Sequence, residues 1–182
     1  MPHPRQLIRD AAKTALVNTT AAADRVFTTR LTPFRAPVLP AIGIWTLEED
    51  VDPESAKTAP RELKRHPRLA IEAVLRNASD GDIDDQLDDL ALEIEKAIAA
   101  DDTLGHTASD CWLMKTEFEF GNQGDMEIAV ARLIFYVTYF GYAPDAADVT
   151  VDDLKTIDAK YDLANAVDPG NQAEDKLINL DA

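Results

Sequence analysis

Two long apolar-patterned stretches, joined by Gly121-Asn122-Gln123-Gly124, occupy Asp110 to Phe140 and constrain the chain more than any other feature. In the first, Trp112, Met114, Thr116, Phe118 and Phe120 alternate with Cys111, Leu113, Lys115, Glu117 and Glu119. A period of two predicts a strand with an aromatic, apolar face and a mostly charged one. In the second, Met126 to Phe140 is apolar at nearly every residue, and Arg132 is its only charge after Glu127. Such a strand needs cover on both faces, from its own domain or from a partner. A hairpin this long and this aromatic suggests a domain that completes its core by assembling with copies of itself.

The elements before it follow ordinary periodicities. Residues 4 to 17 read as a helix, with Leu7, Ile8, Ala11, Ala12, Ala15 and Leu16 on one side and Arg5, Arg9 and Lys13 on the other. Pro4 suits the first turn of that helix. Arg25 to Thr32 and Ala41 to Leu47 read as strands separated by a proline-rich run that supplies no regular ladder. Glu48 to about Pro60 reads as an acidic loop that orders on contact with a partner. Arg61 to Asn77 predicts a long strand, with Leu69, Ile71, Ala73 and Leu75 facing one way and Ala70, Glu72, Val74 and Arg76 the other. Pro67 implies a bulge or an edge position there. The basic cluster at the start of this strand, Arg61, Lys64, Arg65, His66 and Arg68, can pair with the acidic loop before it.

Ile83 to Ala100 carries the clearest helical pattern, with Ile83, Leu87, Leu90, Ala91, Ile94, Ala97 and Ile98 on one face and Asp82 placed to cap it. Alternating Asp80, Asp82 and Asp84 invite a calcium-loop reading, which fails at Asp85 and Ala91, where that loop needs glycine and glutamate. Acidic residues at a helix start, favoured by the helix dipole, account for them. Beyond Gly141 the chain is acidic and sparsely apolar, so residues 143–182 form an extension or arm to a domain at 1–142.

Charge is divided along the sequence. Residues 1–77 hold 12 Lys/Arg against 9 Asp/Glu, a net of +3, and residues 78–182 hold 6 against 25, a net of −19. The overall −16 opposes free binding to nucleic-acid phosphates. It fits either simple solubility or a molecule with one basic and one acidic surface that stacks head to tail. A single cysteine, Cys111, permits no intrachain disulfide and reads as a core residue. The N-terminus has no apolar segment of signal-peptide length and no run is long enough for a membrane helix, so a soluble, intracellular protein is expected. His3, His66 and His106 lie far apart, no glycine-rich phosphate loop occurs, and zinc-type spacings are absent. The expectation is no catalytic residue, no cofactor and no metal, hence not an enzyme.

Helix, strand, proline-bracketed turn, strand, acidic segment, strand, helix, strand, strand is an order that resembles the tail terminator (tail completion) proteins of long-tailed phages, the lambda-type minor tail protein U family. The residues that carry the resemblance are Arg25-Val26-Phe27-Thr28-Thr29-Arg30-Leu31-Thr32-Pro33, Leu39 to Thr46, Asp84 to Asp88, Ala100 to Gly105 and Ala129 to Leu133. It implies an α+β fold: a mixed, mostly antiparallel sheet of four to five strands, two helices on one face, and an irregular C-terminal extension outside the family pattern. It further implies a hexameric ring at the head-proximal end of the virion tail, assembled in the host cytoplasm, that caps the tail tube, ends its polymerisation and offers a face for head attachment. Its partners would be copies of itself, the tail tube protein and the head-tail connector, with no membrane and no sequence-specific nucleic acid, DNA passing through the ring. Other readings are a connector, neck or minor tail protein of related fold, and an enzyme or ligand-binding domain built from scattered acids. Candidate interface residues are Arg5, Arg9, Lys13, Glu48, Glu49, Asp50, Arg61, Arg65, Phe118, Phe120 and Arg132.

Overall fold

The computed structural model describes residues 2–28, 34, 38–57, 61–76, 82–123, 126–142, 156–157 and 178–179. In chain order these give α1 (Pro4–Leu16), β1 (Val26–Thr28), β2 (Ala41–Val51), β3 (Glu62–Arg76), α2 (Ile83–Ala99), β4 (Asp110–Gln123) and β5 (Met126–Tyr142). They form a five-stranded sheet in the order β1-β2-β3-β5-β4. Only β1 and β2 run parallel; every other pairing is antiparallel. The chain divides into two compact units, residues 1–143 and 144–182. Within the second, β6 (Thr156–Ile157) and β7 (Ile178–Asn179) pair antiparallel.

Both helices cover the same sheet face. α1 lies against β1 and β2, and α2 against β3, β4 and β5. The heptad-like stripe of α2 predicts this: Leu87, Leu90, Ala91, Ile94 and Ile98 are all buried. They meet Leu69, Ile71, Ala73 and Leu75 of β3 and Ala129, Ala131, Leu133, Phe135 and Val137 of β5 in one core. Each such aliphatic side chain contributes about 1.5–3 kcal/mol when fully buried. Alanines at 129 and 131 keep β5 thin where the helix crosses it. α1 begins in a capping box: the His3 imidazole accepts from the Arg5 amide at 3.2 Å, and Gln6 Oε1 accepts from the His3 amide at 3.0 Å.

Several expectations need correction. The turn of the long hairpin is not Gly121 to Gly124, because Gly121 to Gln123 continue β4 and Gln123 pairs with Met126. The acidic stretch is not a loop at its start: Glu48 to Val51 extend β2, and Pro53–Ala56 forms a 3-10 turn capped by Asp52. Of the two readings of Pro67, the edge position fails, since β3 is central, and the bulge holds: it lies in the β2–β3 pairing, on β2 between Thr46 and Glu49, opposite the proline that cannot donate. Asp82 sits at the start of α2 but makes no side-chain cap bond. The expected strand over residues 25–32 is described only at Val26–Thr28, and residues 29–32 lie outside the described residues.

The largest correction concerns β4. Its pairing with β5 shifts between Leu113 and Lys115, leaving Met114 as an extra residue. A bulge reverses the alternation of everything beyond it. Trp112 therefore pairs with Tyr136 on the sheet face away from the helices, whereas Phe118 and Phe120 pair with Ala131 and Ala129 on the helix side. The aromatic set that alternates in sequence is divided between the two faces.

Candidate assembly surface

A carboxylate on the helix side ties three elements together. The β2 bulge turns Glu49 inward, and its side chain is only 8% exposed. Arg65 of β3 donates to it at 2.7 Å, the Tyr139 hydroxyl of β5 donates at 2.8 Å, and Arg5 of α1 stands 3.8 Å away. Burial works to raise the Glu49 pKa, but the bonds from Arg65 and Tyr139 and the charges of Arg5 and Arg65 carry it below the usual carboxylate value. The same burial and the bond to Glu49 push the Tyr139 hydroxyl up to about 12. Beside this node Arg9 donates to the Thr46 hydroxyl at 3.0 Å. The N-terminal half of α1 is thus fastened to β2 by charge as well as by its apolar side.

The face away from the helices changes character along its length. At one end Phe34, Ala41 and Val74 are buried together, with Phe27, Val38, Leu39 and Val130 packed against them. In the middle, Arg132 donates to Glu72 at 2.6 Å and lies 3.9 Å from Glu117, which Lys115 holds at 2.5 Å. This ion row crosses β3, β5 and β4. At the other end the rings of His66 and Tyr136 stack at 4.9 Å, and Trp112 leans on Tyr136 at 5.3 Å. His66 Nδ1 shares a hydrogen bond with the Thr138 hydroxyl at 3.1 Å. Arg68 holds Glu48 and Asp50 across the β2 bulge.

β4 is an outer strand of the sheet, and large side chains stand open on both of its faces. Trp112 is 48% exposed, Phe118 49% and Phe120 55%, and at the end of β5 Phe140 is 50% and Tyr142 70% exposed. Scattered exposed apolar residues are ordinary, and these rings divide between the two faces: Trp112, Phe140 and Tyr142 on the one away from the helices, Phe118 and Phe120 on the helix side.

The sequence-derived candidates fall in three places. Arg5, Glu49 and Arg65 come together, as do Glu48 and Asp50 through Arg68. Arg132 joins the ion row, while Phe118 and Phe120 occupy the β4 edge on the opposite face. Arg9 reaches β2, Lys13 lies in the last turn of α1, and Arg61 stands exposed before β3. The basic cluster of β3 does pair with the acidic stretch before it. Tyr139, Tyr136, Phe140 and Tyr142 were not singled out. The register of β3 against β5 brings Tyr139 opposite Arg65 and Tyr136 opposite Arg68, and only that register links them.

Chemistry elsewhere is sparse. Cys111 is buried, which pushes its thiol up to about 12 together with the nearby Asp110 and Asp102 charges, so it is a poor nucleophile. Among the described residues no group of three His, Cys, Asp or Glu side chains is placed to hold a metal. A 620 Å³ groove between the ends of α1 and α2 is lined by Ala11, Ala15, Ala97, Ala100, Thr107 and other small residues. No described helix is long and apolar enough to cross a membrane.

No family model matches the chain, and no curated protein matches it. Among solved structures, a chain of the one described as "Virion of native gene transfer agent (GTA) particle" is similar over 73% of this chain and 94% of its own length, at 15% identity and a TM-score of 0.41.

Proposed function

We propose that the chain is a structural, non-enzymatic virion protein that closes into a ring with copies of itself at the head-proximal end of a phage tail tube. In that role it ends tube polymerisation and presents a face to the head connector. The observation that carries the proposal is the exposed aromatic border of the sheet, Trp112, Phe118, Phe120, Phe140 and Tyr142. A chain that leaves so much ring surface open along one edge gains most by burying it against another protein. Two further features support it. The element order and the sequence stretches named above resemble the phage tail terminator pattern, and the basic and acidic halves suit head-to-tail contacts between identical subunits.

Sedimentation and negative-stain imaging of the purified protein test this, alone and beside isolated tail tubes. Closed rings, and rings seated on tube ends, are the expected result. A compact monomer at high concentration that forms no ring even beside tubes would sink the proposal. Phe118→Asp is expected to weaken ring closure, and unchanged assembly would remove the β4 edge from the interface.

A further inference from the structure

The sheet has two open edges. β4 ends the strand order on one side and β1 on the other, and among the described residues no strand pairs with the outer side of either. The bulge at Met114 interrupts β4 early, but Thr116 to Gln123 run beyond it in unbroken register with β5. An unpaired stretch of that length offers its amides and carbonyls as a template for another strand. Direction follows from the pairings. β1 and β2 run parallel and each later step across the sheet is antiparallel, so β4 runs opposite to β1. A copy set beside the first by rotation, with its helices on the same side, lays its β4 antiparallel to β1, which is the more stable ladder.

Charge separates this contact from the alternative in which β4 pairs with itself across a twofold axis. β4 holds 3 Asp/Glu against 1 Lys, a net of −2, so two such strands repel. Residues 25–35 hold Arg25, Arg30 and Arg35 and no acid. Arg25 spends its bonds on the Pro40 and Ala21 carbonyls, at 2.7 and 3.1 Å, and so keeps its charge, while Glu119 stands exposed on β4. On the helix side, Phe118 and Phe120 of the incoming strand come to lie beside α1, which flanks β1. Self-pairing also leaves β1 open and ends at two copies, whereas a contact between unlike edges repeats until the rotation closes. We propose that the β4 edge of each subunit pairs antiparallel with the β1 edge of the next, so that one sheet runs around the ring. This rests on the ring-forming reading above and names the two edges that make it.

The test uses the full chain with a photo-crosslinking phenylalanine analogue in place of Phe120 or, in a second variant, of Phe118, both of them exposed. A probe that blocks its own contact at one position is then still read at the other. Unlabelled and ¹⁵N-labelled chains are mixed dilute, concentrated and irradiated, and cross-linked peptides are read by mass spectrometry. Sedimentation of the unsubstituted chain reports the ring. Links from an unlabelled probe to residues 25–35 of a labelled chain are expected. The probe at 120 should attach at lower residue numbers than the probe at 118, as an antiparallel ladder requires. Phe118→Asp should lower the yield from position 120 about tenfold, as the loss of a central interface ring implies. Mixed links to β4 itself or to residues 144–182, links within one chain only, or a yield that Phe118→Asp leaves unchanged would each overturn the proposal. A ring without mixed links to residues 25–35 overturns the edge pairing and leaves the ring standing, whereas a monomer overturns both.

Discussion

Replacing Glu49 with Gln tests whether the buried carboxylate fastens β2 to β3 and β5. Gln retains one acceptor oxygen but turns a donor toward either Arg65 or Tyr139, which now reach the carboxylate at 2.7 and 2.8 Å. At 8% exposure little water replaces the lost bond, and a hydrogen bond to a charged group is worth about 1.5–3 kcal/mol. The expected loss is about 2 kcal/mol, or a fall in Tm of about 5 °C for a unit of this size. Both tryptophans, Trp45 and Trp112, lie in residues 1–143, so their fluorescence during urea unfolding reports that unit alone. A double-mutant cycle with Arg65→Gln isolates the pair, and a coupling of at least about 1 kcal/mol is expected at neutral pH. Acid gives a second reading. The folded Glu49 has a pKa below its ordinary 4.5, so protons bind the unfolded chain more readily. Its stabilisation is complete above about 4.5 and is lost as the pH falls through the folded value, so the coupling should fade there and persist at pH 6. Coupling under about 0.5 kcal/mol at pH 7, or coupling that does not fade in acid, refutes the node.

Three further outcomes can be measured on the same unfolding curves. Ile94, fully buried under α2, leaves a cavity when changed to Ala and should cost about 2–5 kcal/mol; an effect below 1 would mean that α2 does not pack on the sheet as described. At Gly43 an added Cβ would sit 2.1 Å from the Trp45 ring, so Gly43→Ala should cost about 1–3 kcal/mol and shift the tryptophan emission, and pairing it with Trp45→Leu should remove most of that cost. Deleting Met114 should be nearly neutral, within about 1 kcal/mol, because Leu113 already pairs with Phe135 and Lys115 with Ile134, and removal of the bulge keeps every other residue on its face. Deleting Thr116 instead lets the bulge close only by moving Met114 and Lys115 one place each, which turns Lys115 to the helix side opposite Leu133, so equal losses for the two deletions would contradict the register.

What was legible in the sequence followed local periodicity, and what was not depended on register. The stripe of α2 and the two faces of β3 emerge as read, because helix and strand periods act through neighbours three, four or two residues away. The bulge at Met114 has no such mark. One extra residue in an apolar strand preserves composition and reverses orientation, which is why Trp112 and Phe118, in phase by sequence, stand on opposite faces. Glu48 to Val51 read as loop because carboxylates are poor strand formers in isolation. Their partners Arg65, Arg68 and Tyr139 lie 16, 20 and 90 positions from the acids they bind. The basic start of β3 is laid beside the acidic end of β2 and the aromatic end of β5, so cations that follow one another in sequence are divided between two jobs. Arg65 points to the helix side and satisfies a buried acid; Arg68 points to the other face and holds Glu48 and Asp50. An alternating strand can hold partners on both of its faces at once, and here the basic cluster does so within the chain, through Arg65 to Glu49 on one side and Arg68 to Glu48 and Asp50 on the other.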